Sequence, residues 1–275
     1  MRHGRRQLVL GTILASIVVA CAASPPSPAP ATPAAVPPIE PGSVGRWVPE
    51  VVGRLDHDDG AWTQGLVVVD GRIYESTGRY GESSIRELDR ETGRLLRDVA
   101  LPADLYGEGL AAAGDELLQL TWREGTLIAW ERSSLEEADR LRYDGEGWGL
   151  CHDGDRLVMS DGSPTLTLRK TGSFEMVGTL VVTLDGVPHG GLNELECIGS
   201  LVFANVWPTS EIAVIDMTTG AIGAIVDASP LEDELGAAAR ADVLNGIAYD
   251  ASTRTFLLTG KLWPVTFEVR FVPGA

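Results

Sequence analysis

Glu108 lies between two glycines in Tyr106-Gly107-Glu108-Gly109-Leu110 and opens a short apolar run. Four more stretches share the form X-Gly-Leu or a close variant: Gln64-Gly65-Leu66, Trp148-Gly149-Leu150, Asn193-Glu194-Leu195 and Asn245-Gly246-Ile247. Counting 14 residues on from Glu108 and Asn193 reaches Trp122 and Trp207; the same offset from Gln64 and Trp148 reaches Gly78 and Gly162. In the last stretch, 16 residues on from Asn245 reaches Lys261. Trp62 and Tyr106 precede their repeat starts by two residues. One carboxylate, one ammonium, several carboxamides and indole walls describe a small-molecule pocket, provided the fold gathers them. Such polar groups are odd in a purely structural ring, because burying them costs free energy unless they are paired. The plainer alternative makes the Trp residues packing anchors and Glu108 a satisfied structural carboxylate.

The elements that would gather them follow from the spacing. The starts fall at 64, 108, 148, 193 and 245, intervals of 40 to 52 residues. A period of roughly 40–50 residues marks an array of one supersecondary unit and suits the blades of a β-propeller. Within the first repeat, strands are expected at 66–69, 73–77, 85–89 and 95–100, with a hairpin turn at Asp70-Gly71. The second repeat reads the same way over 110–113, 117–122, 126–131 and 138–143. The fifth supplies three strands only, and the strand-like segment Trp47–Leu55 has no repeat of its own. The expected fold is therefore all-β: a five-bladed propeller of four-stranded antiparallel blades. Residues 47–55 would form the outermost strand of the last blade and close the ring, limiting exposed edges. A helical insertion near Pro230–Ala241 would account for the longest interval. In a propeller the first strand of each blade lines the channel, and the second returns to the same rim. One rim would then collect Gln64, Glu108, Trp148, Asn193 and Asn245, with Trp122, Trp207 and Lys261 beside them. Gly78 and Gly162 would leave space there, and Trp62 and Tyr106 would flank the opening.

Three units are expected along the chain: residues 1–20, 21–45 and 46–275. Arg2, Arg5 and Arg6 precede an apolar run from Leu8 to Ala20, which reads as a secretory signal rather than a spanning helix. Val18-Val19-Ala20-Cys21 resembles a bacterial lipobox, so Cys21 would carry lipid. The Pro/Ala-rich stretch to residue 45 would tether the domain, giving an exported cell-envelope lipoprotein held by lipid alone. The remainder carries 19 basic against 39 acidic residues, a charge that repels nucleic acid and anionic lipid. Cys151 and Cys197 could pair in an oxidising compartment; two buried free thiols are the preferred reading. His57, His152 and His189 show no ligand spacing with one another or with the cysteines, so no metal site is expected.

Ten ordered segments resemble the plant-type and bacterial glutaminyl-peptide cyclotransferases. Among them are Trp62-Thr63-Gln64-Gly65-Leu66, Tyr106-Gly107-Glu108-Gly109, Gly147-Trp148-Gly149-Leu150, Leu192-Asn193-Glu194-Leu195-Glu196, Ala204-Asn205-Val206-Trp207 and Thr259-Gly260-Lys261-Leu262-Trp263-Pro264. The resemblance covers nearly all of residues 47–272. It implies a five-bladed propeller that converts an N-terminal glutaminyl residue to pyroglutamate and releases ammonia, without cofactor or metal. By motif, the catalytic set falls on Glu108, Lys261, Gln64 and Asn193. The binding walls fall on Trp62, Tyr106, Trp122, Trp148 and Trp207. Tyr and Trp stand where the family usually has Phe at 106 and 62, which keeps the aromatic wall and adds a hydroxyl beside Glu108. Glu108 would shuttle the proton, with Gln64, Asn193 and Lys261 as oxyanion donors. The expected partners are peptides with N-terminal Gln, acted on by a monomer. Two rival readings stay open: a non-catalytic propeller that captures peptide termini, and a Ca²⁺-dependent hydrolase. The latter needs several carboxylates, and only Glu108 is acidic among the five channel-leading residues.

Overall fold

A computed structural model describes Met1 and residues 36–40, 42–236 and 240–274. The proposed signal, the lipidation position Cys21 and most of the tether lie outside the described residues. Short apolar runs rich in Val, Ile, Leu and Thr, cut by Gly and Asp turns, form strands almost throughout. β1 (Gly45–Asp56) precedes a four-stranded sheet of β2 (Thr63–Val69), β3 (Arg72–Thr77), β4 (Ser84–Asp89) and β5 (Leu95–Ala100). The next comprises β6 (Gly107–Ala113), β7 (Glu116–Thr121), β8 (Thr126–Glu131) and β9 (Glu136–Arg142). β10 (Leu150–His152), β11 (Arg156–Met159), β12 (Thr165–Lys170) and β13 (Met176–Val181) make a third. A small hairpin absent from the repeat pattern follows, β14 (Thr183–Leu184) and β15 (Val187–Pro188). Then come β16 (Leu192–Ile198), β17 (Leu201–Val206), β18 (Glu211–Asp216) and β19 (Ile222–Asp227). After the short helix α1 (Ser229–Leu235), the chain ends in β20 (Leu244–Asp250), β21 (Thr255–Gly260) and β22 (Val265–Pro273). The helix covers the first part of the expected insertion, with proline in its first turn; residues 237–239 of that insertion lie outside the described residues.

All pairings within these units are antiparallel and sequential, the arrangement of a propeller-like fold. β1 pairs antiparallel with β22 along nine residue pairs, with a bulge between Val51 and Gly53. Its first residues, Gly45–Trp47, also run parallel to Ala224–Val226 of β19. That joins the fourth and fifth units into one eight-stranded sheet. The inner strands β2, β6, β10, β16 and β20 neighbour one another in turn, and β20 returns to β2.

Each neighbouring pair of units encloses its own apolar layer. Leu110, Ile128 and Trp130 meet Ile85 and Leu105 between the first two; Phe203 and Val214 meet Phe256 and Phe267 between the last two. Leu66, Ile73, Ala248 and Leu257 fill the layer between the last unit and the first. Val36 and Ile39, within the stretch expected to be tether, pack on the layer between the fourth and fifth units, and Val44 on the layer before it.

The preferred reading of the cysteines is corrected. Cys151 on β10 and Cys197 on β16 are disulfide-bonded, their Cα atoms 5.5 Å apart. The sequence shows them 46 residues apart, but the two inner strands are neighbours, and that adjacency brings the thiols together. Closing such a loop should stabilise the fold by about 2–4 kcal/mol. Cys151→Ser with Cys197→Ser should lower the denaturation midpoint accordingly; an unchanged midpoint in non-reducing denaturant titration would refute a stabilising bridge.

Candidate active site

The repeat starts coincide with defects in the inner strands. Register shifts fall between Thr63 and Gly65, Gly107 and Leu110, Leu192 and Leu195, and Leu244 and Ile247. A bulge re-aims a side chain out of the strand's regular alternation, and here the residues at the bulges are Gln64, Glu108, Asn193 and Asn245. The glycine after three of the starts has a steric reason. A Cβ on Gly65 or Gly109 would sit 2.5 Å from the backbone nitrogen of Leu110 or Leu150, and one on Gly149 would sit 2.0 Å from the Asn193 carbonyl. Bare backbone lets adjacent inner strands touch at the rim. The fourth repeat has Glu194 at this position. It is fully buried, and its carboxyl accepts the amides of Leu66 (3.1 Å) and Ile247 (2.9 Å), tying β16 to β2 and β20.

In four of the five repeats the residue 14 or 16 past the start pairs through its backbone amide with the residue two before that start. Gly78 N donates to Trp62 O, Trp122 N to Tyr106 O, Trp207 N to Gly191 O and Lys261 N to Val243 O, at 2.8–3.0 Å. These contacts bring Trp62, Gln64, Tyr106, Glu108, Trp122, Trp148, Asn193, Trp207 and Lys261 around one cavity of about 230 Å³. All nine site residues expected from the sequence line it. Gln64, Glu108, Asn193 and Lys261 are buried at 4–6% exposure, whereas Trp207 is 48% exposed and forms the outer lip.

Two expectations about the rim change. Asn245 shares the tier but does not line the cavity. It is fully buried, and its Nδ2 donates to Gln64 Oε1 (2.9 Å) and Thr63 O (3.0 Å). That fixes which way the Gln64 amide faces: Oε1 toward Asn245 and Nε2 toward Glu108, with which it hydrogen-bonds. The space at Gly78 and Gly162 is already taken: a Cβ there would strike the rings of Tyr106 (2.4 Å) and Trp148 (2.7 Å). These glycines seat the aromatic walls.

Burial drives the electrostatics. Desolvation pushes the Glu108 pKa well above the usual carboxylate range; Lys261 and the Gln64 hydrogen bond oppose it, while Glu124 and Glu146 add to it. Desolvation lowers Lys261, against the pull of Glu108. The Lys261 ammonium also lies 5.3 Å from the centre of the Trp62 ring. Burial and then Glu108 push the Tyr106 hydroxyl up to about 12, so it stays protonated. The side chain of Asn193 leaves a buried Oδ1 without a partner among the described residues.

Sequence reasoning missed Glu146. Its Oε2 accepts both indole N–H groups, Trp122 at 2.9 Å and Trp148 at 3.1 Å, and its Oε1 accepts Arg123. One carboxylate therefore fixes the rotation of two walls. Its position was the available signal: it stands two residues before the third repeat start, where the first two repeats have Trp62 and Tyr106. Glu124 and Tyr80 were missed as well. Tyr80 donates to Glu124 at 2.7 Å, and its ring meets Tyr106 edge-on at 5.2 Å. No group of three or more His, Cys, Asp or Glu side chains is placed to hold a metal ion among the described residues.

A propeller-like ring of small sheets whose rim carries an indole-walled cup, with one buried carboxyl beside a buried ammonium, defines a protein that handles a small polar group at the mouth of its channel. A family model described as glutamine cyclotransferase matches residues 14–271. A glutaminyl-peptide cyclotransferase of Arabidopsis thaliana is 35% identical over 225 residues, covering 80% of this chain and 70% of that protein. The crystal structure of Myxococcus xanthus glutaminyl cyclase superposes with a TM-score of 0.79 at 37% identity, covering 85% of this chain and all of that one. The chain belongs to the glutamine cyclotransferase family.

Proposed function

We propose that this protein is a glutaminyl-peptide cyclotransferase built as a five-bladed propeller, closed by β1 in the last blade. It turns the N-terminal glutaminyl residue of a peptide into pyroglutamate. The substrate's free α-amine attacks its own side-chain amide carbon, forming the ring C–N bond and a tetrahedral oxyanion. The carbonyl then reforms, the bond to the amide nitrogen breaks, and ammonia leaves. Glu108 takes the proton from the attacking amine and returns it to the departing nitrogen, so the enzyme ends each turnover as it began. Lys261, Gln64 Nε2 and the Asn193 amide face the oxyanion as preorganised donors. The indoles of Trp122, Trp148 and Trp207 hold the side chain folded for closure, converting a floppy chain into a near-attack geometry.

The single observation that carries the reading is the buried Glu108 carboxyl, set beside Lys261 and Gln64 inside one indole-walled cup. The proton route runs through this side chain and calls for no metal. Export as a lipoprotein anchored at Cys21, with the protein acting as a monomer, belongs to the same proposal. The Cys151–Cys197 disulfide supports an oxidising compartment. The test is ammonia release from a Gln-initiated dipeptide, with and without chelator. Chelator-insensitive release is expected. Binding without release would favour a protein that only captures peptide termini, and chelator-sensitive release would favour a metal enzyme.

A further inference from the structure

We propose that His57 is a positioning residue of this site: an imidazolium held between Glu75 and the carbonyl of Trp263, it fixes the turn that presents Lys261. The inference rests on the role given above to Lys261. That turn is not self-supporting. Leu262, the residue after Lys261, has φ of 61°, a left-handed conformation that a side chain with a Cβ adopts reluctantly. Contacts from outside hold it. Leu262 N donates to Ala61 O at 2.7 Å, Lys261 N to Val243 O at 3.0 Å, and Trp263 Nε1 to Asp242 O at 2.8 Å. His57 adds two more: its amide donates to Pro264 O at 3.1 Å, and its Nδ1 lies 2.6 Å from Trp263 O. Among these contacts His57 supplies the one titratable side chain.

The ring's surroundings fix its charge state. Nδ1 faces a backbone carbonyl, which can only accept. Nε2 lies 3.0 Å from Glu75 Oε1, which already accepts the Thr63 hydroxyl at 2.7 Å. A neutral imidazole has one N–H and cannot satisfy both sides; the imidazolium has two. Both side chains are 1% exposed, so water does not substitute for either partner. The charged neighbours are Glu75 on β3, Arg86 on β4 with Nη1 3.7 Å from Glu75 Oε2, and Asp58, the next residue in the chain, itself hydrogen-bonded to Arg86. Asp56 and Arg94 line the same recess, and Lys261 stands on the turn. Burial alone would lower the His57 pKa; Glu75, the Trp263 carbonyl and Asp58 outweigh it, and the pKa is raised.

Deprotonation has a defined outcome. The carboxylate is the stronger acceptor, so the neutral ring keeps Nε2–H and loses the proton on Nδ1. Trp263 O then faces a lone pair, and the left-handed turn loses one of its outside supports. Lys261 moves with it. Misplacement of a catalytic group by about 1 Å is enough to cost on the order of 100-fold in rate.

The test uses the full chain. In long-range ¹⁵N imidazole spectra, one histidine should show both nitrogens protonated at pH 7 and above, past the ordinary histidine value of about 6.5. That signal should vanish in His57→Asn and His57→Gln. Asn places its amide N–H near the Nδ1 position and Gln near the Nε2 position. On a Gln-initiated dipeptide, His57→Gln should therefore lose roughly 10- to 100-fold in kcat with little change in KM, and His57→Asn should stay within about threefold of wild type. A neutral ring at pH 7, or equal losses in the two variants, overturns the proposal. If a variant does not fold, the wild type decides: kcat must fall across the pH range in which the ring loses its Nδ1 proton, and a kcat unchanged across that range overturns the proposal. A wild type that releases no ammonia would sink the cyclase reading while leaving the imidazolium result intact.

Discussion

Glu108→Gln should bind Gln-initiated peptides and fail to cyclise them, with kcat lower by roughly 10²–10⁴-fold. The amide keeps the shape of the carboxyl and still meets Gln64, but it cannot accept and return a proton. Folding should survive, because the replaced group is one whose ionised form the site disfavours. The sign of the stability change follows from the raised pKa of Glu108. A carboxyl whose folded pKa lies above its unfolded value favours folding below the unfolded pKa, and that advantage is lost as pH rises through the folded pKa. Glutamine has no such penalty at high pH. Thermal melts should therefore show the variant gaining on wild type as pH rises through the Glu108 pKa, and losing that gain in acid. Dipeptide turnover near the wild-type rate would remove Glu108 from the proton path. A variant equally stable relative to wild type at all pH values would remove the raised pKa.

The cup was legible because its residues obey one period. Each functional side chain stands at a repeat start, two residues before it, or 14 to 16 after it, and in four of the five units the later residue pairs its amide with the carbonyl two residues before the start. Strand positions were legible for a related reason: Gly and Asp turns cut the chain into short apolar runs. What stayed hidden depends on neighbours rather than on period. Glu146 looks like one acid among 39 in the sequence, and its role appears only when two indoles from different units converge on it. Asn245 has the right position but points beneath the floor, so its part is to orient Gln64. The Cys151–Cys197 bridge was the second choice: places just past consecutive repeat starts bring the two near each other, but spacing does not show that the two thiols face one another. His57 was weighed only as a metal ligand, and its partners, Glu75 and the carbonyl of Trp263, are 18 and 206 residues away.

Lys261→Met should be nearly as damaging to turnover as loss of Glu108, for a different reason. The methionine stem can keep the packing against Trp62, so the change removes a charge more than a shape. Two effects then act together. The developing oxyanion loses a cationic donor in a dry site, worth roughly 10²–10³-fold in kcat. Glu108 also loses the group that opposes its desolvation, so its pKa, already raised, climbs further. Because proton abstraction needs the carboxylate, the acidic limb of the kcat/KM profile should move to higher pH. Stability should change little, since Glu108 can stay protonated instead of standing as an unpaired buried charge. Lys261→Arg separates the two effects: it keeps the positive charge near Glu108 but not the geometry at the oxyanion. Its acidic limb should stay near the wild-type position while its rate falls. The measurement is kcat/KM against pH for all three proteins. An acidic limb that stays fixed or moves to lower pH in Lys261→Met would mean the ammonium does not act on Glu108. The coupling of these two buried charges, on which the proton shuttle depends, would then have to be abandoned.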